Sequence, residues 1–160
     1  MVYGIDPGLS GAIALMVNGE LREIEDIPTR QEGTGKVKRR VDAAGLAAIV
    51  RDWRARFGVD SEQAVIERVA SMPSQGVASV FSLGHTAGAV EATMLALGCP
   101  VAFVAPATWK RALGCTADKA SSQARASLLF PSQAGLWARV KDHNRAEAVM
   151  LAHYGSVRLA

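Results

Sequence analysis

Four acidic residues carry the first hint of chemistry. Asp6 follows the apolar run Val2 to Ile5 and opens Asp6-Pro7-Gly8, a strong turn signal. Glu67 closes the short apolar segment Ala64-Val65-Ile66, while Asp142 and Glu147 stand near the start of the last helical segment. Singly, each has an ordinary account as a turn, a solvated strand end, a helix cap or a surface acid. If the first and central strands are parallel neighbours, however, Asp6 and Glu67 emerge at one sheet edge, where ligand sites of open α/β sheets collect. Carboxylates gathered in this way repel one another unless cations neutralise them. Hard divalent ions such as Mg2+ do so through oxygen ligands and leave positions for water and phosphate. Two such ions can activate a water and stabilise the leaving oxygen of a phosphodiester. The chemistry these acids point to is phosphodiester hydrolysis.

The elements that must position them are readable from periodicity and turn residues. Val2 to Ile5, Ile13 to Val17 and Leu21 to Ile27 read as strands of an antiparallel meander, with Asn18-Gly19 as a two-residue hairpin turn. Thr29 to Arg40 reads as a mobile basic loop containing Arg30, Lys36, Lys38, Arg39 and Arg40. Asp42 is a candidate cap for a helix in which Leu46, Ile49, Val50, Trp53 and Phe57 recur at helical spacing up to Gly58. Ala64 to Ile66 reads as a buried central strand, Val77 to Leu97 as a long helix and Pro100 to Val104 as a further strand. Helices are expected over Ala107 to Leu113, from Asp118 through Phe130, and from Asp142 or His143 to Tyr154. This order places residues 1–160 in one α/β domain, with a mixed sheet of an antiparallel meander plus parallel strands, flanked by helices.

Bulk properties narrow the function classes only a little. A net charge of +3 agrees with a polyanionic partner without requiring one. Cys99 and Cys115 form no metal-ligand spacing with the histidines, which argues against zinc and for reduced thiols. No leader-like segment and no bilayer-length apolar run is evident, so a cytoplasmic protein without membrane contact is expected.

Three segments also carry a family resemblance. Gly4-Ile5-Asp6-Pro7-Gly8-Leu9-Ser10-Gly11, Val65-Ile66-Glu67 and Asp142-His143-Asn144-Arg145-Ala146-Glu147-Ala148 resemble the RuvC-type Holliday junction resolvases, particularly the short phage and prophage forms. The similarity extends to Leu83-Gly84-His85-Thr86-Ala87-Gly88 and Pro106-Ala107-Thr108-Trp109-Lys110, and so spans almost the whole chain. It implies a ribonuclease H-like fold and a homodimer that uses Mg2+ or Mn2+, two ions per site, to nick two strands of a four-way junction symmetrically. It implies metal ligation by Asp6 and Glu67, with Glu147 and either Asp142 or His143 completing the set. Asp142 lies five residues before Glu147, a poor same-face spacing, so it serves only from a non-helical cap position. Lys110 and Lys119 match basic positions of the family near the scissile strand, with Arg111 beside the first, while Lys36, Lys38, Arg39 and Arg40 would grip an outer DNA arm. No nucleotide cofactor is expected.

One departure widens the expected substrate range. Ala70 stands where several family members carry an aromatic that stacks at the junction centre, so other branched DNA is included. Gly84 and Gly88 in the long helix suggest close backbone approach, either to the sheet or across a two-fold contact. Three rival readings remain: an actin-like phosphate-binding ATPase fragment, an inactive branched-DNA binder, and a transposase or integrase core. The first needs more chain than this, the second leaves the acids unexplained, and the third usually has additional DNA-binding domains.

Overall fold

The computed structural model describes residues 1–32, 39–70 and 76–159; Lys36 and Lys38 lie outside them, as does the side chain of Lys119. Strands β1 (Val2–Asp6), β2 (Ala12–Val17) and β3 (Glu20–Asp26) form the meander, and β4 (Thr29–Gln31) pairs with β5 (Arg39–Val41). Helix α1 (Ala43–Phe57) leads into β6 (Gln63–Glu67), and α2 (Val77–Ala96) leads into β7 (Val101–Val104). Helices α3 (Pro106–Ala112), α4 (Lys119–Leu129) and α5 (His143–Arg158) follow, with 3-10 turns at Pro131–Trp137 and Val140–Asp142.

The main sheet runs β3-β2-β1-β6-β7, antiparallel through the meander and parallel from β1 to β7. Strand alternation divides its side chains between two apolar layers. Tyr3, Ile5, Ile13, Leu15, Ala64 and Ile66 pack with Leu46, Val50 and Trp53 of α1 and Val90 and Met94 of α2. On the other face, Ala12, Ala14, Met16 and Val65 pack with Trp109, Ala126 and the Ala148 to Ala152 stretch of α5.

Glycine decides how α5 lies on the sheet. A Cβ at Gly4 would stand 2.1 Å from the Ala148 carbonyl oxygen and the Ala152 nitrogen, and one at Gly155 would stand 2.6 Å from side-chain carbons of Val2 and Val65. Residues 148 to 152 therefore cross β1 at the level of Gly4 and residue 155 at the level of Val2. Helix α5 runs antiparallel to β1, and its first turn lies at the Asp6 end.

Most boundaries follow the sequence reading. Asn18 and Gly19 take positive φ values of 53° and 79°, as the hairpin turn requires. Asp42 accepts a hydrogen bond from the Gly45 amide and Asp118 from that of Ala120, each at 3.1 Å. Two expectations are corrected, and one of two alternatives is closed. The ends of the basic loop are paired strands, with Arg30 opposite Arg40 and the latter also bonded to Glu32 at 3.0 Å. Helix α5 continues past Tyr154 to Arg158 because it stays in contact with β1 and β6 down to Gly155. Gly84 and Gly88 do not serve packing against the sheet: both are exposed, and a Cβ at either would meet nothing within 4 Å. They lie instead on an outward stripe of α2 with Val77, Phe81 and Leu95. Among the described residues, no helix is long and apolar enough to cross a membrane.

Candidate active site

The sheet edge collects acids by register. Asp26 pairs with Ala12, Ala12 with Asp6, and Glu67 with Val104, while Ile5 opposite Ile66 brings Asp6 and Glu67 to adjacent ends of parallel strands. Neighbouring strands are about 4.8 Å apart, so the two acidic residues start from nearly touching backbones. Alternation from Gly4 and Val65 turns both toward the α5 face. The Asp6-to-Gly11 turn is tight, with the Gly11 amide donating to the Gly8 carbonyl at 2.9 Å. Asn144 in the first turn of α5 donates to the Ser10 carbonyl at 2.5 Å and ties that helix to the loop.

On the β6 side, the acids meet buried partners. The Trp109 indole N–H donates to Glu67 Oε2 at 2.8 Å. Its neighbour Lys110 places Nζ 2.7 Å from Glu147 Oε1, with side chains only 12% and 8% exposed. Ser122 of α4 donates to the same oxygen at 3.3 Å. The Lys110 ammonium also stands 5.2 Å from the centre of the Trp109 ring, a cation–π distance. Two consecutive residues of α3 thus hold carboxylates from β6 and α5.

The β3 side is built from arginines. Arg139 forks onto Asp142 at 2.8 and 2.9 Å, and Arg145 onto Asp26 at 2.7 and 2.9 Å. The Arg139 hydrogen bonds hold the Asp142 carboxyl below the usual carboxylate range, and the Arg145 hydrogen bonds do the same for Asp26. Asp142 sits at the non-helical position before α5, but its side chain turns back to Arg139 and makes no cap bond to the helix.

This arrangement can be compared with known folds. The chain superposes on a Thermus thermophilus RuvC in complex with Holliday junction substrate with a TM-score of 0.63, at 21% identity, covering 98% of this chain and 95% of that one. A second Thermus thermophilus RuvC structure gives a TM-score of 0.50 at 21% identity over 96% and 94% of the two chains. The yeast mitochondrial Holliday junction resolvase Ydc2 gives 0.54 at 15% identity, covering 97% of this chain and 77% of that one. The chain has the RuvC fold. No family model matches the sequence, and no curated protein matches it. The ribonuclease H-like expectation is met by strand order, helix placement and these superpositions alike.

Within the RuvC fold, the expected site residues fall into distinct groups. Asp6, Glu67 and Glu147 come to the same edge and the same face, and Asp142 joins from the β3 side. His143 opens α5 half-buried, with Nδ1 3.1 Å from the Val140 carbonyl. Lys110 is a buried ion-pair partner rather than a surface cation, whereas Arg111 beside it is exposed. Arg39 and Arg40 stand on β5, in the separate two-stranded sheet with β4, and Lys119 opens α4. Trp109, Ser122, Asn144 and the pair Asp26–Arg145 went unassigned in the sequence reading. Only Trp109 left a signal, because a buried indole N–H demands an acceptor.

The donor set suits a hard divalent cation: it consists of carboxylate oxygens, and Cys115, close enough to feel Glu147 and Lys110, is held as a thiol by burial. Among the described residues, no three His, Cys, Asp or Glu side chains converge tightly enough to hold an ion as they stand. Arg139 engages both oxygens of Asp142, so coordination by that acid would require the fork to open, whereas Lys110 and Ser122 both engage Oε1 of Glu147.

Proposed function

We propose that the chain is a divalent-metal-dependent endonuclease that hydrolyses phosphodiester bonds in branched DNA, above all four-way junctions, as a homodimer making paired nicks. The observation that carries this reading is the register of β1 and β6, which brings Asp6 and Glu67 side by side under the first turn of α5. The RuvC neighbour, shared over nearly the full length of both chains, supports DNA junctions as the substrate class.

Asp6 and Glu67 would hold Mg2+, or Mn2+ in its place, with Glu147 and either Asp142 or His143 as further donors to a pair of ions. Such ions supply an activated water and neutralise charge at the leaving oxygen. The chain's own part is positional. Trp109, Lys110 and Ser122 hold Glu67 and Glu147, and Asn144 holds the turn after Asp6. Arg111 and Lys119 would meet phosphates beside the acidic edge, with Lys110 paired to Glu147 behind it and Lys36, Lys38, Arg39 and Arg40 on an outer arm. Such contacts give affinity rather than sequence preference. The outward stripe of α2, with Val77 87% and Phe81 65% exposed, is the surface through which a two-fold dimer would form. A small Ala70 near Glu67 fits tolerance of other branched substrates.

The test is incubation with a synthetic four-way junction and a matched duplex, in Mg2+ or in chelator. Paired nicks confined to the junction and dependent on the metal are expected. Equal cutting of the duplex, or cutting in chelator, would overturn the reading.

A further inference from the structure

We infer that Trp109 is the positioning residue for Glu67: its indole N–H sets the direction in which the carboxylate at the end of β6 is presented to a bound cation. The inference rests on the endonuclease reading above and deepens it. Its basis is a chain of short connections. Val104 of β7 pairs with Glu67, Ala105 precedes α3, and the Trp109 amide returns to the Ala105 carbonyl at 3.3 Å. One helical turn after the strand beside Glu67, the ring is therefore brought onto the same face of the sheet.

The ring cannot turn away. Trp109 is fully buried in the cluster that contains Val104, Leu113, Ala126 and Trp137. Its side chain has a single donor, fixed in the ring plane. A buried indole needs only some acceptor, and the neighbouring Trp137 is satisfied by the Ser127 hydroxyl at 3.0 Å. Trp109 instead donates to a carboxylate of the proposed ligand set, at 2.8 Å. A hydrogen bond to an ionised oxygen is among the stronger and more directional ones. Partners that orient ligating carboxylates commonly change metal affinity by about 10- to 100-fold when removed.

The experiment measures Mn2+ binding to the full chain without DNA by electron paramagnetic resonance, together with thermal unfolding. Trp109→Phe removes the donor, and replacement of Trp109 by 3-benzothienylalanine removes it while keeping the ring shape. Binding weakened by about tenfold or more in both, with the unfolding temperature of the benzothienyl variant close to that of the unchanged chain, is expected. A benzothienyl variant that folds and binds Mn2+ as tightly as the unchanged chain overturns the inference, because the tryptophan is then only core packing. If the unchanged chain and Asp6→Asn alike fail to bind Mn2+, the endonuclease reading itself falls and takes the inference with it.

Discussion

Glu67 and Glu147 on one flank of the acidic edge, and Asp26 and Asp142 on the other, are held by different kinds of partner. The first flank draws on Trp109, Lys110 and Ser122, which belong to the packed layer between α3, α4 and α5. The second depends on arginine forks with one exposed member each: Arg139 at 63% over an Asp142 that is only 8% exposed, and Asp26 at 65% against Arg145 at 28%. Buried partners keep their geometry whatever the salt concentration, whereas exposed ion pairs are screened and contribute little. The comparison separates a preorganised flank from an adjustable one. Within the second flank it is Asp26, whose carboxylate is exposed, that added salt can loosen from its arginine.

The contrast can be removed altogether by lifting α5. In Gly4→Ala the new methyl would meet backbone of Ala148 and Ala152, so β1 and the helix must separate. A loss of about 3 kcal/mol or more in urea unfolding is expected, since overpacking against backbone cannot relax through a rotamer change. A smaller effect sharpens the contrast on the buried flank alone. Lys110→Met leaves Glu147 buried without its cation and should cost about 3 kcal/mol at neutral pH, as for other broken buried pairs. Millimolar Mg2+ should return part of that loss by supplying a cation to the folded state. Unchanged stability would mean that the pair is not a structural counterweight.

The exposed flank should respond to pH and salt instead. Arg145 holds the Asp26 carboxyl below its usual range, so the pair contributes fully above about pH 4 and is lost as the pH falls through the lowered value. Because Asp26 is well exposed, Asp26→Asn should cost only about 0.5 kcal/mol at pH 7 and flatten the acid limb of the stability curve. The cost should vanish in high salt. Its persistence there would place Asp26 with the buried group.

What was legible in the sequence depended on how local its cause was. The Asn18-Gly19 hairpin and the caps at Asp42 and Asp118 are set by neighbouring residues, and all three are found. The ends of β1 and β6, and with them Asp6 and Glu67, followed from short apolar runs closed by acids. The condition that makes them a site is not local. Gly4 looks like any small strand residue until a Cβ there is seen to collide with α5, more than 140 positions on. The fork from Arg139 to Asp142 depends on two 3-10 turns that show no clear periodicity, so the direction of Asp142 could not be read. Trp109 was visible only as part of the segment Pro106 to Lys110, and its acceptor, 42 residues away, was fixed by the pairing of β6 with β7. The glycines of α2 left two readings open, because one sequence feature serves equally for packing inward and for lying on an outer surface; their exposure closes the first.

The central claim is that Asp6 takes part in hydrolysis rather than in holding the fold or the DNA. Junction binding and junction cleavage measured side by side for Asp6→Asn in Mg2+ address it most directly. Affinity close to that of the unchanged chain, with nicking lost by about a thousandfold or more (about 4 kcal/mol at the barrier), is the result this account requires. Nicking that survives the substitution, or binding and cleavage that fall together, would contradict it.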